Sequence, residues 1–471
     1  MSTCLPVYLF TWQPVMLSPD ILARLKQADK LPYAPRPREF LRRAPTRALM
    51  ILVDGITPAA LQRAHTPTFD ALAARGVSAT DARTVFPTIT GPAHTSILTG
   101  ARVGTHGFLY PKMLDAFNNR LLDFTEGLMQ AETVAEAWRP NGITSVGIGS
   151  RFLRGADALV SEGAVGEDLA DITDRAIAAV RDWAPHFLTV VYYAADTMGH
   201  LFGPEAELTL AAIEYIDAMT ARILDAYAAK NLLNETVIVV LADHGMLSTE
   251  HIESADFVER VGAFPHGRLA LAPRALSEAD YCALLNDPRV EDIYGRNELE
   301  LLGAWGPRWG EHVIHLKDGL MFPHHRKLVG YHGAWSEIEK HMPLVLSGAG
   351  IRQGAPLATC ETIDLVPTLS LLLGGDPPRQ AEGRVLWEAL DVERAPDVSG
   401  YARLIVERDE LLNELKALKK EYAKQSIRRE EFVAREMEWK RLAEQNIAAL
   451  KNENARQQIS KGLIHDQSRH V

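Results

Sequence analysis

Short apolar runs rich in β-branched residues recur along the chain, and three of them end directly before an acidic residue. The run ALMILV precedes Asp54, FLTVVYYAA precedes Asp196, and TVIVVLA precedes Asp243. Longer helical patterns, such as residues 66–76 and about 204–229, separate the runs. This alternation predicts an α/β fold with a doubly wound, mostly parallel sheet. The predicted strands are 48–53, 143–148, 187–193, 236–241 and 343–347.

Composition narrows the class of protein. The chain has 471 residues, of which 47% are hydrophobic and 24% charged, and its net charge is −11. This balance is typical of a globular protein and argues against a non-specific nucleic-acid binder, which would carry a basic surface. The three cysteines are far apart, so neither a disulfide framework nor a cysteine-based zinc site is expected. We find no secretion signal and no bilayer-spanning stretch, and therefore expect a cytoplasmic protein without membrane contact.

Changes in pattern predict the domain organisation. Residues 1–46 are mixed and rich in Pro, Arg and Lys towards their end, which indicates an N-terminal arm. Residues 47–395 form the main α/β domain. Within it, residues from about 250 to 329 contain many turn residues and interrupt the alternation, so we expect an inserted cap lobe there.

Residues 401–461 form a different kind of segment. They contain no Gly or Pro, and 25 of the 59 residues from Arg403 to Lys461 are charged. Leucines from Leu404 to Leu418 follow a spacing of three and four. This predicts a long helix, a helical hairpin or a coiled coil with a narrow apolar seam. The seam either packs on the main domain or joins the chain to a second copy or a partner.

The acidic strand ends predict a metal site. Parallel strands bring their carboxyl ends to one edge of a sheet, where ligands bind. Carboxylates and imidazoles together suit divalent zinc, with manganese or iron as alternatives. Three acids and three histidines are placed to act as ligands for two such ions: Asp54, Asp196, His200, Asp243, His244 and His332.

Thr90, in the segment FPTITGPAH, is the candidate nucleophile. The following residues can start a helix, and a helix N-terminus offers free backbone amides to a phosphate. Coordination to a divalent cation would make the threonine alkoxide accessible near neutral pH. An ordinary helix N-cap is the alternative role for Thr90. Thr88 is a nearby alternative nucleophile.

The motifs VDG, FPTITGPAH, TGARVGTHG, ADTMGHLFGP, LADHGM and GYHG, in this order, resemble those of the nucleotide pyrophosphatase/phosphodiesterase family of the alkaline phosphatase superfamily. The resemblance covers roughly residues 47–390. It implies an alkaline-phosphatase-like fold, a two-zinc site and a covalent phospho-threonine at Thr90. It also implies one metal held by Asp54, Thr90, Asp243 and His244, and the other by Asp196, His200 and His332.

The chain departs from the family pattern at two places. Gly91-Pro92-Ala93-His94 stands where relatives usually have FPNH. The family's asparagine, which donates to a phosphate oxygen, is matched by Pro111. Lys112, the next residue, is therefore a candidate catalytic cation, with a solvated surface lysine as the alternative. Among the other histidines, His94 and His106 are expected to be structural, and one of His266, His324 and His325 in the cap can face the substrate.

The resemblance implies a hydrolase of phosphodiester or pyrophosphate bonds, with a small and nucleotide-like phosphate ester as substrate. A phosphonate hydrolase, similar to phosphonoacetate hydrolase, or a phosphomonoester hydrolase is the first alternative. Cationic groups at the site would favour this alternative, whereas an aromatic slot would favour nucleotides. An inactive scaffold that uses the helical tail is the second alternative. The complete set of ligand residues argues against it.

Overall fold

The computed structural model describes most of the chain beyond residue 37. The predicted N-terminal arm therefore lies largely outside the described residues, although its last part packs on the main domain: Leu41 pairs with Val392, and the ring of Phe40 lies 6.0 Å from that of Trp387. The described residues are 38, 40–109, 112–115, 120–123, 129–160, 168–306, 308–357, 359–393, 395–397, 399–425 and 427–467.

Strands occur throughout the main domain, but only a few of them are long. The longest are apolar and buried on both faces. In chain order the strands are β1 (Arg47–Val53), β2 (Val77–Ala79), β3 (Ala82–Arg83), β4 (Lys112–Asp115), β5 (Arg120–Asp123), β6 (Ser145–Ile148), β7 (Ala158–Val160), β8 (Phe187–Tyr192), β9 (Thr236–Leu241), β10 (Leu247–Ser248), β11 (Glu250–His251), β12 (Phe264–His266), β13 (Leu269–Ala272), β14 (Val290–Tyr294), β15 (His312–Leu316), β16 (Leu320–Met321), β17 (Gly330–Tyr331), β18 (Leu344–Gly348), β19 (Pro356–Leu357) and β20 (Cys360–Glu361).

Helices connect these strands and end the chain. In order they are α1 (Pro58–Arg63), α2 (Pro67–Ala74), α3 (Thr90–Thr99), α4 (Val103–His106), α5 (Val134–Trp138), α6 (Leu169–Asp182), α7 (Ala194–Phe202), α8 (Glu207–Ala229), α9 (Asp256–Glu259), α10 (Glu278–Leu285), α11 (Arg296–Leu301), α12 (Glu337–Lys340), α13 (Leu365–Leu373), α14 (Ser399–Ala423) and α15 (Arg429–Gln467). None of the helices in the described part of the chain combines the length and the apolarity needed to cross a bilayer.

The central sheet has eight strands in the order β19-β2-β18-β9-β1-β8-β6-β7. All neighbouring pairs are parallel except the two that involve β18, which runs opposite to both β9 and β2. The predicted doubly wound, mostly parallel sheet is therefore confirmed. Strand β1 lies between β8 and β9, with Leu49 opposite Leu188 on one side and Ile238 on the other. Because helices cover both faces, these strands are continuous apolar runs rather than alternating ones.

The predicted cap segment forms a small sheet of its own. Strands β12, β13, β15 and β14 pair in that order, and every pair is antiparallel. Helix α10 packs against β14, and the two share an apolar cluster that includes Leu284 and Ile293. This lobe leaves the main domain after β11 and returns to it at β17.

The C-terminal segment is a helical hairpin of α14 and α15. Trp439 donates to the carbonyl of Leu411 at 2.6 Å, and Asn446 donates to that of Leu404 at 3.1 Å, so the two helices run antiparallel. The apolar seam, including Leu415, faces the body and joins a buried cluster with residues of the main domain and the cap. Burial of each such leucine stabilises this docking by about 1.5–3 kcal/mol. Of the predicted alternatives, the structure therefore has a hairpin packed on the body.

Candidate active site

The first candidate ligand cluster lies at the carboxyl ends of two neighbouring strands. Asp54 follows β1 directly, and Asp243 and His244 follow β9 after one residue. Because β1 and β9 are parallel and adjacent, the three side chains meet at one edge of the sheet. The Nε2 atom of His244 lies 3.5 Å from Asp54 Oδ1 and 3.2 Å from Asp243 Oδ2. One potential ligand atom from each of the three lies within 4.8 Å of the others.

The second cluster joins α7 to the strand that returns from the cap. Asp196 and His200 are four residues apart on α7 and therefore share one helix face. His332 follows β17, and its Nε2 atom lies 3.5 Å from Asp196 Oδ1 and 3.3 Å from His200 Nε2. The rings of His244 and His332 are stacked with centroids 3.8 Å apart. The two clusters therefore lie side by side, grouped as the family resemblance implies.

Backbone carbonyls set the orientation of the three histidines. A carbonyl oxygen only accepts, so each ring must donate its Nδ1 proton and present Nε2 to the cluster. Such a partner fixes the tautomer of a metal-ligating histidine. Burial also lowers the pKa of His244 to about 4, which keeps this imidazole neutral at neutral pH. The Nδ1 to oxygen distances are 2.8 Å for His200 and Gly330, 3.1 Å for His244 and Gly245, and 2.8 Å for His332 and Thr88.

The three acids fit a cation. Asp54 Oδ2, Asp196 Oδ1 and Asp243 Oδ2 are buried and have no hydrogen-bond partner among the described residues. Burial, followed by the charges of Asp243 and Asp196, raises the pKa of Asp54 well above its usual range. Buried carboxylates this close together are unfavourable without positive charge. The donor set and the unpaired oxygens therefore suit two divalent ions.

Thr90 stands at the edge of the first cluster. Its hydroxyl lies 3.2 Å from His244 Nε2 and 3.5 Å from Asp54 Oδ1. Thr90 is the first residue of α3, and Ile89 rather than Thr90 holds the N-cap position. Thr88, the alternative nucleophile, is fully buried. It donates to the carbonyl of Ala334 at 2.8 Å, so its hydroxyl has a structural partner. Thr90 is the hydroxyl that faces the clusters.

His94 contributes to the site in a way that the sequence analysis did not anticipate. It lies one helical turn after Thr90, and its Nε2 atom is 3.2 Å from Asp243 Oδ2 and 3.5 Å from Asp54 Oδ2. Although burial opposes its charge, these two carboxylates raise the pKa of His94 to about 9. His94 is thus a neighbour of two ligand positions. Its spacing of four from Thr90 was the available signal.

A cavity of about 510 Å³ opens beside Thr90 and the second cluster. Aromatic rings dominate one side of it, and those of Phe108 and Phe152 lie 5.5 Å apart. A Cβ atom on Gly91 would lie 2.4 Å from the ring of Phe108, so this ring fills the space of a side chain at position 91. The departure from the family pattern at Gly91 therefore has a physical reason. The lining aromatic residues are Phe108, Phe152, Tyr193 and Tyr331.

Basic residues also line the cavity. The guanidinium of Arg151 lies 5.5 Å from the ring centre of Tyr193, and the exposed run His324-His325-Arg326 completes the wall. Two of the three cap histidines thus face the cavity, whereas His266 is not among its lining residues. Among the described lining residues, Asp196 is the one acidic group. The cavity is therefore basic within a chain of net charge −11.

Three residues that the sequence analysis named remain: Pro111, Lys112 and His106. Pro111 lies outside the described residues. Lys112 begins strand β4, but its side chain is not among those described, so its catalytic role stays a prediction. His106 is buried beside Ser96, with Nε2 and Oγ 2.8 Å apart, and burial lowers its pKa to about 3. This neutral, packed histidine has the structural role predicted for it.

The chain matches the sequence profile of one known protein family. The sequence profile of the family described as "Type I phosphodiesterase / nucleotide pyrophosphatase" matches residues 48–289. Human ectonucleotide pyrophosphatase/phosphodiesterase family member 1 is 26% identical over 199 residues, which are 38% of this chain and 21% of that protein. Family member 7 of the rat is 23% identical over 236 residues, which are 45% of this chain and 52% of that protein. The chain thus matches about a fifth to a half of these relatives.

Solved structures share the fold. Murine ectonucleotide pyrophosphatase/phosphodiesterase 5 superposes with a TM-score of 0.62 and 20% identity, over 70% of this chain and 96% of that one. An inactive variant of the same murine protein in complex with AMP gives a TM-score of 0.63 and 19% identity. The alkaline-phosphatase-like architecture expected from the motifs is therefore confirmed.

Proposed function

Because this chain belongs to the type I phosphodiesterase/nucleotide pyrophosphatase family, we propose that it is a metal-dependent hydrolase of phosphodiester or pyrophosphate bonds with Thr90 as nucleophile. One observation carries the proposal. The Thr90 hydroxyl borders two three-residue clusters, and one buried carboxylate oxygen of each acid in them accepts no hydrogen bond from the described residues. This arrangement supplies a nucleophile, a place for positive charge and an adjoining cavity in one location.

We propose that Asp54, Asp243 and His244, with Thr90, hold one cation. The second cluster holds the other. Two carboxylates with one imidazole, and one carboxylate with two imidazoles, suit zinc best, with manganese or iron as alternatives. When bound, such ions would lower the pKa of the threonine hydroxyl and of an attacking water, and would balance charge on the phosphate.

The reaction follows from the position of Thr90. Its Oγ attacks phosphorus and loses its proton to solvent, while the bond to the leaving oxygen breaks and that oxygen departs with the electron pair. The resulting phosphoester of Thr90 is then hydrolysed by water, which restores the hydroxyl. His94 stays beside Asp54 and Asp243 throughout and orients them.

We propose a nucleotide-like substrate on the basis of the aromatic wall. Phe108 and Phe152 present ring faces or edges beside Thr90, and flat bases stack on such rings. The AMP bound by a murine protein of the same fold supports this choice. The basic residues Arg151 and Arg326 support a second candidate, a phosphonate or phosphomonoester with two negative charges.

A zinc-loaded substrate panel tests these proposals. We expect turnover of p-nitrophenyl thymidine 5′-monophosphate to exceed turnover of p-nitrophenyl phosphate and phosphonoacetate. The reverse order would favour the second candidate. Turnover of none of them by a protein that binds zinc would favour the scaffold. If Thr90→Ala binds zinc and keeps full turnover, Thr90 is not the nucleophile.

Two further expectations remain proposals. Val433 and Met437 are exposed and four residues apart on α15, which supports a contact of the hairpin with a second copy or a partner. The mass in solution of wild type and of Met437→Glu tests this proposal. If both proteins have the mass of a monomer, the proposal is wrong.

The second expectation is a cytoplasmic location, which cell fractionation tests.

A further inference from the structure

Helix α12 lies directly behind the first ligand cluster. The amide of Gly245, next to His244, donates to the carbonyl of Glu339 at 2.8 Å. A Cβ atom on Gly245 would lie 2.0 Å from the carbonyl oxygen of Ile338, so only glycine allows this approach. The position of α12 therefore sets the position of the segment that carries Asp243 and His244.

The same helix also holds the segment of the second cluster. The carboxylate of Glu339 accepts the amide of Ala334, two residues after His332, at 3.2 Å. The other carboxylate oxygen pairs with Arg268 from the cap, and both side chains are fully buried. One short helix thus contacts the neighbours of two ligand histidines that belong to different clusters.

The C-terminal hairpin contacts this helix through an ion pair. Lys340 is 3% exposed and forms a buried ion pair with Asp409 of α14. Asp409 also accepts from Arg83 at 2.8 Å. The guanidinium of Arg408, the preceding residue of α14, lies 5.8 Å from the ring centre of Trp335. The hairpin therefore contacts α12 at Lys340 and lies beside Trp335, in the segment between His332 and α12.

We infer that the C-terminal hairpin positions the ligand histidines, with Asp409 acting through Lys340 on α12. Without Asp409, Lys340 would keep only Glu337 of its own helix, which lies 2.6 Å away and whose side chain is exposed. The buried lysine would then move towards Glu337 and water, and α12 would lose its link to α14. Asp409 and Lys340 are positioning residues and touch no substrate. The part of this inference that concerns metal rests on the proposed function. The part that concerns the segments themselves does not.

Asp409→Asn tests the inference, since it removes the charge and keeps the shape. Amide hydrogen exchange of the metal-free protein reports on Gly245 and Ala334 directly, because both amides bond to Glu339. We expect these two amides to exchange about tenfold faster or more, with strand β8 unchanged. Lys416→Gln is the matched control. Lys416 lies two turns further along α14 and pairs with Glu291 of the cap at 2.9 Å, so it should leave both amides unchanged.

Zinc affinity provides the second readout. Competition with a chromogenic chelator should show zinc binding weakened by about 10–100-fold in Asp409→Asn, as loss of ligand-supporting contacts does in other zinc sites. Lys416→Gln should bind zinc as wild type does. Faster exchange without any zinc binding by wild type would leave the positioning role intact and remove the metal from the proposed function.

A second variant covers the case in which Asp409→Asn does not fold. Lys340→Met/Asp409→Leu removes both charges, and replacement of a buried pair by apolar residues is commonly tolerated. It should also show faster exchange at Gly245 and Ala334, because it too lacks the hydrogen bond from Lys340 to Asp409 that joins α12 to α14. Unchanged exchange of these amides in a folded variant overturns the inference, whatever the zinc affinity.

Discussion

The two sides of the candidate active site are built in different ways. The ligand side consists of residues at strand ends, on α7 and at the start of α3, all buried or half-buried. Backbone carbonyls hold its histidines. The opposite side consists of loop residues such as Phe152, Arg151 and Arg326, and much of it is exposed. The difference indicates that the proposed reaction would depend on the sheet, whereas the choice of substrate would depend on loops that the sheet supports. Substitutions on the two sides should therefore have effects of different size and kind.

The largest effect is expected on the ligand side, at Thr90. Thr90→Ala should lower kcat by at least about 10³-fold, since loss of a nucleophile has effects of this size or more in other covalent hydrolases. Zinc content should stay at the wild-type value. Thr88→Val, the control two residues away, removes the buried hydrogen bonds of this hydroxyl with the Ala334 carbonyl and the Gly333 amide. It should lower the free energy of unfolding by about 1–3 kcal/mol and leave most of kcat. Equal losses of kcat in both variants would contradict the assignment.

Metal removal should have the second-largest effect, which we expect on the stability of the folded protein. Zinc at 100 times its Kd should stabilise the folded protein by about 2.7 kcal/mol for each cluster that it fills, because it binds the native clusters and not the unfolded chain. Thermal unfolding with zinc and with a chelator measures this difference. Asp243→Asn should reduce the zinc-dependent shift, while Arg429→Gln, at an exposed site on the hairpin, should keep it. An unfolding temperature that is the same with zinc and with a chelator would show that the protein lacks the proposed metal centre.

The aromatic wall should give a smaller effect that depends on the substrate. Phe108→Ala should lower kcat/KM for a nucleotide diester by about 10–100-fold, since stacking of a base contributes about 1–3 kcal/mol. It should change kcat/KM little for methyl p-nitrophenyl phosphate, which has no base. A sharper test restores the ring from the other segment: Gly91→Phe should recover part of the loss only when Phe108 is already alanine. Equal losses on both substrates would assign Phe108 to the ligand side instead.

The basic wall should give the smallest effect. Arg151→Gln should raise KM by up to about fivefold for substrates with a second phosphate, because a half-exposed cation contributes at most about 1 kcal/mol in water. The kcat value should stay near that of wild type, and raising the ionic strength should reduce the difference between the two proteins. A change in kcat alone would place Arg151 with the reacting groups.

Much of the ligand side could be predicted from the sequence. Strands β1, β8 and β9 match the predicted 48–53, 187–193 and 236–241 to within one residue, because fully buried parallel strands are continuous apolar runs. The acids that follow them meet for the same reason. Strand β18 runs antiparallel, which periodicity does not reveal, and short strands such as β7 carry too few residues to form a pattern.

The loop side and the supporting contacts were harder to predict. No local pattern shows that Phe108 fills the space beside Gly91, or that Asp409 reaches Lys340 across 69 residues. His94 was expected to be structural, and its contact with two ligand carboxylates depends on the packing of α3 against the sheet. The hairpin seam was visible as a leucine pattern, but its partner, the body rather than a second copy, was set by tertiary packing.

The Phe108 ring fills the space that a side chain at position 91 would occupy, and this has a consequence for evolution. In this chain the ring beside Thr90, that of Phe108, belongs to a loop and not to the helix that Thr90 begins. Mutations in that loop can therefore alter which compounds are accepted while the start of α3 is left untouched. Selection on the range of substrates could therefore act on this loop separately from the residues that the proposed chemistry requires.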